Sequence, residues 1–148
     1  MSHDSAALRE EMIRQMVYFD EQRMLFLDTH FPIRGVKSQE RTLVEQRINE
    51  YVSMLRELIG GMPSDGMYEL ERVIVGSQVT VQYEGETDTE VVRLCFPERI
   101  DPDQGMISFL SPMGLQLLGA SLNDTITFSM PPAEEIRVKI VGVNGVKI

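Results

Sequence analysis

The segment Gly60-Gly-Met-Pro-Ser-Asp-Gly66 splits the chain into two different periodicities, and no regular element can cross it. Glycine loses the most backbone entropy on ordering, and proline lacks the N–H that a helix interior needs, so this cluster ends a helix. Upstream, apolar residues return every three or four positions. Downstream, they alternate. The reading is two domains: a helical one over residues 1–62 and a stranded one over 68–148.

In the first domain, Val44, Ile48, Tyr51, Leu55, Leu58 and Met62 recur at spacings of four and three, the seam of a coiled coil, and Val52 and Ile59 widen it. Ser38 is the expected N-cap, with Glu40 and Arg41 in the first turn. An earlier helix spans about residues 5–29. It carries Met12, Met16, Phe19 and Phe26 in one row, with Ile13, Val17, Met24 and Leu27 beside it and Arg23 interrupting it. Pro32 stops that helix and Gly35 allows the chain to reverse. A connector this short makes the two helices antiparallel. A two-helix hairpin buries little apolar surface, so it needs the second domain or a partner.

The second domain alternates through Val73, Val75, Val79, Val81 and Tyr83, turns at Glu84–Asp88, and returns over Thr89–Phe96. After a loop at Arg99–Gly105, further strands are expected at Met106–Leu110, Thr125–Met130 and Ile136–Val143. Between them, Ser111 is placed to cap a short helix, Pro112 to occupy its first position and Gly119 to end it in a left-handed conformation. Five strands and one short helix make an α+β domain.

Composition narrows the function classes. At 43% hydrophobic and 25% charged residues the chain can build a core. Its 14 basic against 23 acidic residues, a net charge of −9, argue against direct binding to duplex DNA, which needs cations to displace phosphate counterions. A protein partner with a basic docking surface fits better. The single cysteine, Cys95, allows no internal disulfide and suits a reducing compartment. No apolar run reads as a signal peptide or a membrane span, so a soluble, cytoplasmic protein without membrane contact is expected.

Chemistry-bearing candidates are few. The hairpin turn gathers His30, Arg34, Lys37 and Arg41, either a functional tip contact or a solvated hairpin end, and the trio Phe31, Pro32 and Ile33, either a contact knob or, in preference, packing across that end. Asp28 and Glu40 flank that turn; they are read as ordinary helix-face acids, with metal binding as the minor alternative. His3 and His30 have no Cys or His companions at zinc spacing. Cys95 reads as a small buried hydrophobe. Neither a nucleophile elbow nor a glycine-rich phosphate loop occurs. No enzyme activity and no cofactor are expected. The acidic stretches Glu84–Glu90 and Glu98–Asp103 are solvated faces, or docking faces for a basic surface.

Gly76-Ser-Gln-Val-Thr-Val81, Ile107-Ser108, Ser111-Pro112, Leu117-Leu-Gly119 and Asn123-Asp124 carry a family resemblance. From about Tyr68 to Val143 the chain resembles the C-terminal domain of the bacterial Gre transcript-cleavage factors and the related Rnk regulators, and the preceding hairpin matches their architecture. The resemblance implies an FKBP-like antiparallel sheet domain that binds RNA polymerase, with the hairpin entering the secondary channel. By analogy, docking would fall on Ser111, Pro112, Met113, Leu117, Gly119, Asn123 and Asp124. In Gre factors, acidic side chains at the hairpin tip help to hold a catalytic magnesium of the polymerase. Here the acidic motif, Asp-Leu followed by Glu-Asn-Ala-Glu-Tyr, is absent. Magnesium wants hard oxygen ligands, and a cationic turn opposes its recruitment.

The expected function is therefore a monomeric regulator that binds RNA polymerase and inserts a hairpin without stimulating cleavage. A cleavage-stimulating Gre factor, a Rnk-type regulator or other interaction module, and an FKBP-type prolyl isomerase are the alternatives. The last needs an aromatic-lined pocket, yet the chain has no Trp and its strand aromatics suit a core.

Overall fold

A computed structural model describes residues 2–32, 37–130 and 132–146. The chain divides into two compact units. One is Asp4–Gly66; the other runs from Met67 onward and takes in His3.

The first unit is a pair of helices, α1 (Ser5–His30) and α2 (Lys37–Gly61). Asp4 caps α1, its carboxylate accepting from the Ala6 N–H at 3.2 Å. The helix closes where the Phe31 N–H bonds to Leu27 O at 2.7 Å, just before Pro32. Contacts between the helices run in opposite senses: Arg9 meets Ile59 and Met62, Gln15 meets Tyr51, and Asp28 meets Arg41. The pair is thus antiparallel, as the short connector requires. Leu8, Met12, Phe19, Phe26 and Leu27 of α1 are buried, as are Val44, Ile48, Tyr51, Val52 and Leu55 of α2. Phe19 meets Tyr51 edge to face, with ring centroids 6.0 Å apart.

Two expectations shift in this unit. Helix α2 begins at Lys37, one residue ahead of the expected cap, and the Ser38 side chain lies outside the described residues. Leu58 and Ile59 are only half-buried. Gln15 is buried although polar, because it accepts the Tyr51 hydroxyl and donates to Glu11 at 2.9 Å.

The second unit is a five-stranded sheet with one short helix. Strands β3 (Gln78–Tyr83), β4 (Thr89–Cys95), β5 (Met106–Ser108), β6 (Thr125–Met130) and β7 (Ala133–Asn144) lie in the order β5-β4-β3-β7-β6. Helix α3 (Pro112–Leu117) packs against β6. One face of the sheet carries Val79, Val81, Val92, Leu94, Ile126, Phe128, Val138 and Ile140, all buried with Phe109 and Leu117. Two short strands, β1 (Ser2–Asp4) and β2 (Met67–Glu69), form a separate ribbon. Nothing in three-residue segments gives an alternation to read. His3 belongs here: its Nε2 accepts the Val146 N–H at 3.0 Å, and burial lowers its pKa.

The sheet is not wholly antiparallel. Strand β5 runs parallel to β4, pairing Arg93 with Met106 and Cys95 with Ser108. The reason is the connection: two 3-10 turns, Pro97–Arg99 and Pro102–Gln104, carry the chain back to the same end instead of closing a hairpin. The strand expected from Val73 also starts later, at Gln78. Val73, Ile74 and Val75 are buried, but Val73 pairs with Gly119 and Ala120, and the Ser77 N–H then bonds to Ile74 O at 3.0 Å in a turn through Gly76 at φ +102°.

Candidate functional site

Two surfaces carry the residues singled out by the sequence: the end of the helical hairpin and the stretch from β5 to β6.

At the hairpin end, Ile33 and Arg34 lie outside the described residues, as do Gly35 and the side chain of Lys37. Around them the structure rearranges the expected cationic cluster. Arg41 does not project. Its side chain is 7% exposed, and Nη1 donates to Asp28 Oδ1 at 2.8 Å and to the Phe31 carbonyl at 3.0 Å. Arg41 therefore corrects the reading of a free tip contact: its guanidinium satisfies a carbonyl at the C-terminal end of α1, which has no partner within the helix. His30 is half-buried, its ring 4.5 Å from that of Phe26. Phe31 is half-buried; Pro32 and Glu40 are exposed. Asp28 and Glu40 do not form a ligand set, since Asp28 is taken by Arg41; among the described residues no three His, Cys, Asp or Glu side chains stand together as a metal site.

From β5 to β6, the helix-start chemistry is as expected. Ser111 Oγ accepts from the Gly114 N–H at 3.0 Å and donates to Ser108 O at 2.7 Å, and Pro112 opens α3. The Ser108 hydroxyl in turn accepts the Leu110 N–H at 2.9 Å. This knot brings α3 so close to β5 that a Cβ on Gly114 would lie 2.0 Å from Ser108 O. Gly119 leaves the helix at φ +80°, where its carbonyl accepts both Nε and Nη2 of Arg72 at 2.9 and 2.7 Å. Asn123 takes φ +75°, and Asp124 Oδ2 accepts the Ser121 N–H at 2.9 Å. These two residues shape the turn into β6 while remaining exposed.

The expected docking set therefore separates. Pro112, Asn123 and Asp124 are exposed, and Ser111 and Gly119 half-exposed. Met113 and Leu117 are corrected: at 8% and 0% exposure they belong to the core beneath α3, because they face the sheet. Gln116, not singled out by sequence, is exposed on α3 together with Pro112.

A third feature lies at the β3–β4 turn. An open recess of about 670 Å³ is lined by Tyr83, Glu84, Glu86, Glu135 and Arg137. The Tyr83 hydroxyl donates to Glu90 at 2.7 Å; burial first, and Glu90 next, push its pKa up to about 12. Arg137 pairs with Glu135 at 2.9 Å. This is the acidic turn of the sequence, solvated as expected. Cys95 is buried, and burial pushes its thiol pKa up, which keeps it protonated and unreactive.

Sequence reasoning missed Arg9, whose guanidinium donates to the carbonyls of Ile59, Met62 and Pro63 at 3.2, 2.8 and 3.1 Å. It closes the C-terminal end of α2 from fifty residues away, so no local pattern could announce it. Among the described residues, no helix is long and apolar enough to cross a membrane.

Residues 69–145 match the family model described as transcription elongation factor GreA/GreB, C-terminal. Among curated proteins, the chain is 31% identical over 105 residues to transcription elongation factor GreA of Macrococcus caseolyticus, covering 71% of this chain and 65% of that protein. It is 28% identical over 110 residues to GreA of Solidesulfovibrio magneticus, covering 74% and 61%. The match thus spans less than two-thirds of these relatives. Among solved structures, the prokaryotic transcription elongation factor GreA/GreB from Nitrosomonas europaea is 23% identical, with a TM-score of 0.47 over 73% of this chain and 93% of that one.

Proposed function

Because this chain belongs to the GreA/GreB transcription elongation factor family, we propose that it binds RNA polymerase through its sheet unit and regulates transcription by inserting its helical hairpin into the secondary channel, without stimulating transcript cleavage. The family match over the sheet unit supports the docking half of this reading. The exposed residues of the β5-to-β6 stretch, Pro112, Gln116, Asn123 and Asp124, are the contact candidates, presented by the Ser108–Ser111–Gly114 knot.

One observation carries the second half. The acid nearest the hairpin end on α1, Asp28, is paired with a buried arginine at 2.8 Å. A carboxylate already matched by a guanidinium is a poor ligand for a divalent cation, because the metal must first displace a charge-assisted hydrogen bond. The remaining sequence of the turn, with Arg34 and Lys37, adds positive charge where a metal-recruiting factor needs negative. Such a hairpin acts by occupying space or by meeting acidic groups.

The test has two arms. Purified protein should retain RNA polymerase in a low-salt pull-down, and Asn123→Ala together with Asp124→Ala should weaken retention. Stalled elongation complexes given the factor should cleave their transcripts no faster than without it. Absence of retention sinks the docking reading, and strong cleavage stimulation sinks the reading of the tip.

A further inference from the structure

His3 joins parts of the sheet unit that lie far apart in the chain. Its strand, β1, pairs with β2, and its ring meets the segment that follows β7: Nε2 accepts the Val146 N–H at 3.0 Å. A neutral imidazole has one N–H and one bare nitrogen. With Nε2 accepting, the proton belongs on Nδ1. That atom is buried, beside the Tyr68 backbone but without a hydrogen bond of normal geometry. The arrangement fits the neutral ring alone. An imidazolium would turn Nε2 into a second donor aimed at the Val146 N–H, and would leave a charge on a half-buried ring.

The same segment has a second tie of a different kind. Arg93 Nη1 donates to Gly145 O at 2.9 Å and also to Gly76 O. A guanidinium stays charged at any pH a folded protein meets, so this tie does not titrate. One residue apart, a fixed clasp and a titratable one hold the chain.

We propose that His3 is a pH-operated latch: as a neutral ring it ties β1 to the segment after β7, and as an imidazolium it releases that segment while Arg93 keeps its hold on Gly145. The groups around the ring favour the closed form. Burial disfavours the charged ring most, and the positive amino end of the chain adds to it; the Tyr68 backbone opposes both and is outweighed. Asp4 on β1 and Glu69 on β2 are exposed to solvent, which screens them. The segment after β7 brings backbone groups at Gly145 and Val146, and Lys147 lies outside the described residues. A ring that the fold keeps neutral contributes its stability above the ordinary histidine value of 6.5 and loses it as pH falls through a lower one. Acid therefore loosens β1 and the segment after β7, and leaves the five-stranded sheet paired.

NMR of the full chain from about pH 7.5 down to about 4.5 tests this. The imidazole signal that vanishes in His3→Ala belongs to His3. It should titrate below 6.5, and the Val146 amide should shift and lose its protection from exchange with the same midpoint. Amides of the paired residues Val81 and Ile140 should keep theirs. In His3→Ala the Val146 amide should be about tenfold less protected already at the upper pH, the worth of one hydrogen bond, with no midpoint across the range. The Val81 and Ile140 amides report that the variant is folded. A His3 midpoint at or above 6.5 overturns the proposal. So does a Val146 amide whose protection ignores the His3 midpoint, or follows the same curve in His3→Ala.

Discussion

In the helical unit the ties between distant parts of the chain are side chains: Arg9 onto the carbonyls of Ile59 and Met62, Tyr51 onto Gln15, Arg41 onto Asp28 and Phe31. In the sheet unit backbone bonds join the distant parts, beside a few side-chain ties such as Arg72 onto Gly119 and Arg93 onto Gly145. Gly119 and Ala120 bond to Val73, Leu122 to Glu71, and Asn123 and Asp124 to Ile140, while α3 is drawn onto β5 through Ser108 and Ser111. Long side chains reach across gaps and adapt to a neighbour's shift. Backbone-to-backbone closure leaves no slack. The two units should therefore respond to substitution in different ways, and glycine is where they differ most.

The largest effect is expected at Gly114. A methyl group there would overlap Ser108 O at 2.0 Å, with rigid backbone on both sides. Gly114→Ala should cost about 3 kcal/mol or more of sheet-unit stability, read by urea unfolding of the full chain. An unchanged midpoint would mean that α3 can slide, and the contrast between the units would lose its basis. Arg41→Met comes next. It removes two charge-assisted hydrogen bonds, but Asp28 is 60% exposed and recovers water, so a loss of about 1.5 kcal/mol is expected. Amide exchange should rise at the Phe31 end of α1 and not in the sheet. Ser111→Ala should cost about 1 kcal/mol through the lost cap.

The smallest effect carries the opposite sign. Gly60 lies in α2, and a methyl group added there would meet no atom within 4 Å. Gly60→Ala should therefore stabilise the helical unit by about 0.5–1 kcal/mol, seen as a higher melting point of the helical signal. Equal and same-signed effects at Gly60 and Gly114 would erase the distinction.

Much of this architecture is legible in the sequence because local chemistry suffices. The limits of α1 follow from Pro32 and the apolar rows. The cap, first turn and exit of α3 follow from Ser111, Pro112 and Gly119, each acting on neighbours within a few positions. What is not legible depends on partners far along the chain. Val73 and Val75 alternate like a strand, yet Val73 bonds to a segment nearly fifty residues away and the chain turns at Gly76. Strand β5 is too short to display its direction. The candidate site divides along the same line. Asn123 and Asp124 stand out by the family resemblance, and the structure places them, exposed, in the turn before β6. Arg41 reads as exposed because sequence gives the charge of a side chain and not the groups it meets; only the fold brings Asp28 and the Phe31 carbonyl within its reach. Met113 and Leu117 read as part of an outer surface, although a helix of six residues on a sheet has one face to bury and little else.

Arg9 and Arg41 sit near opposite ends of the two-helix unit, separated by roughly 29 Å along α1 between Arg9 and Asp28. Each fastens one helix to the terminus of the other. Tied near both ends, the two helices resist scissoring and slipping past one another, so part of a load applied at the turn is passed along the pair to its base. Whatever that turn touches would be felt, mechanically, where the hairpin begins.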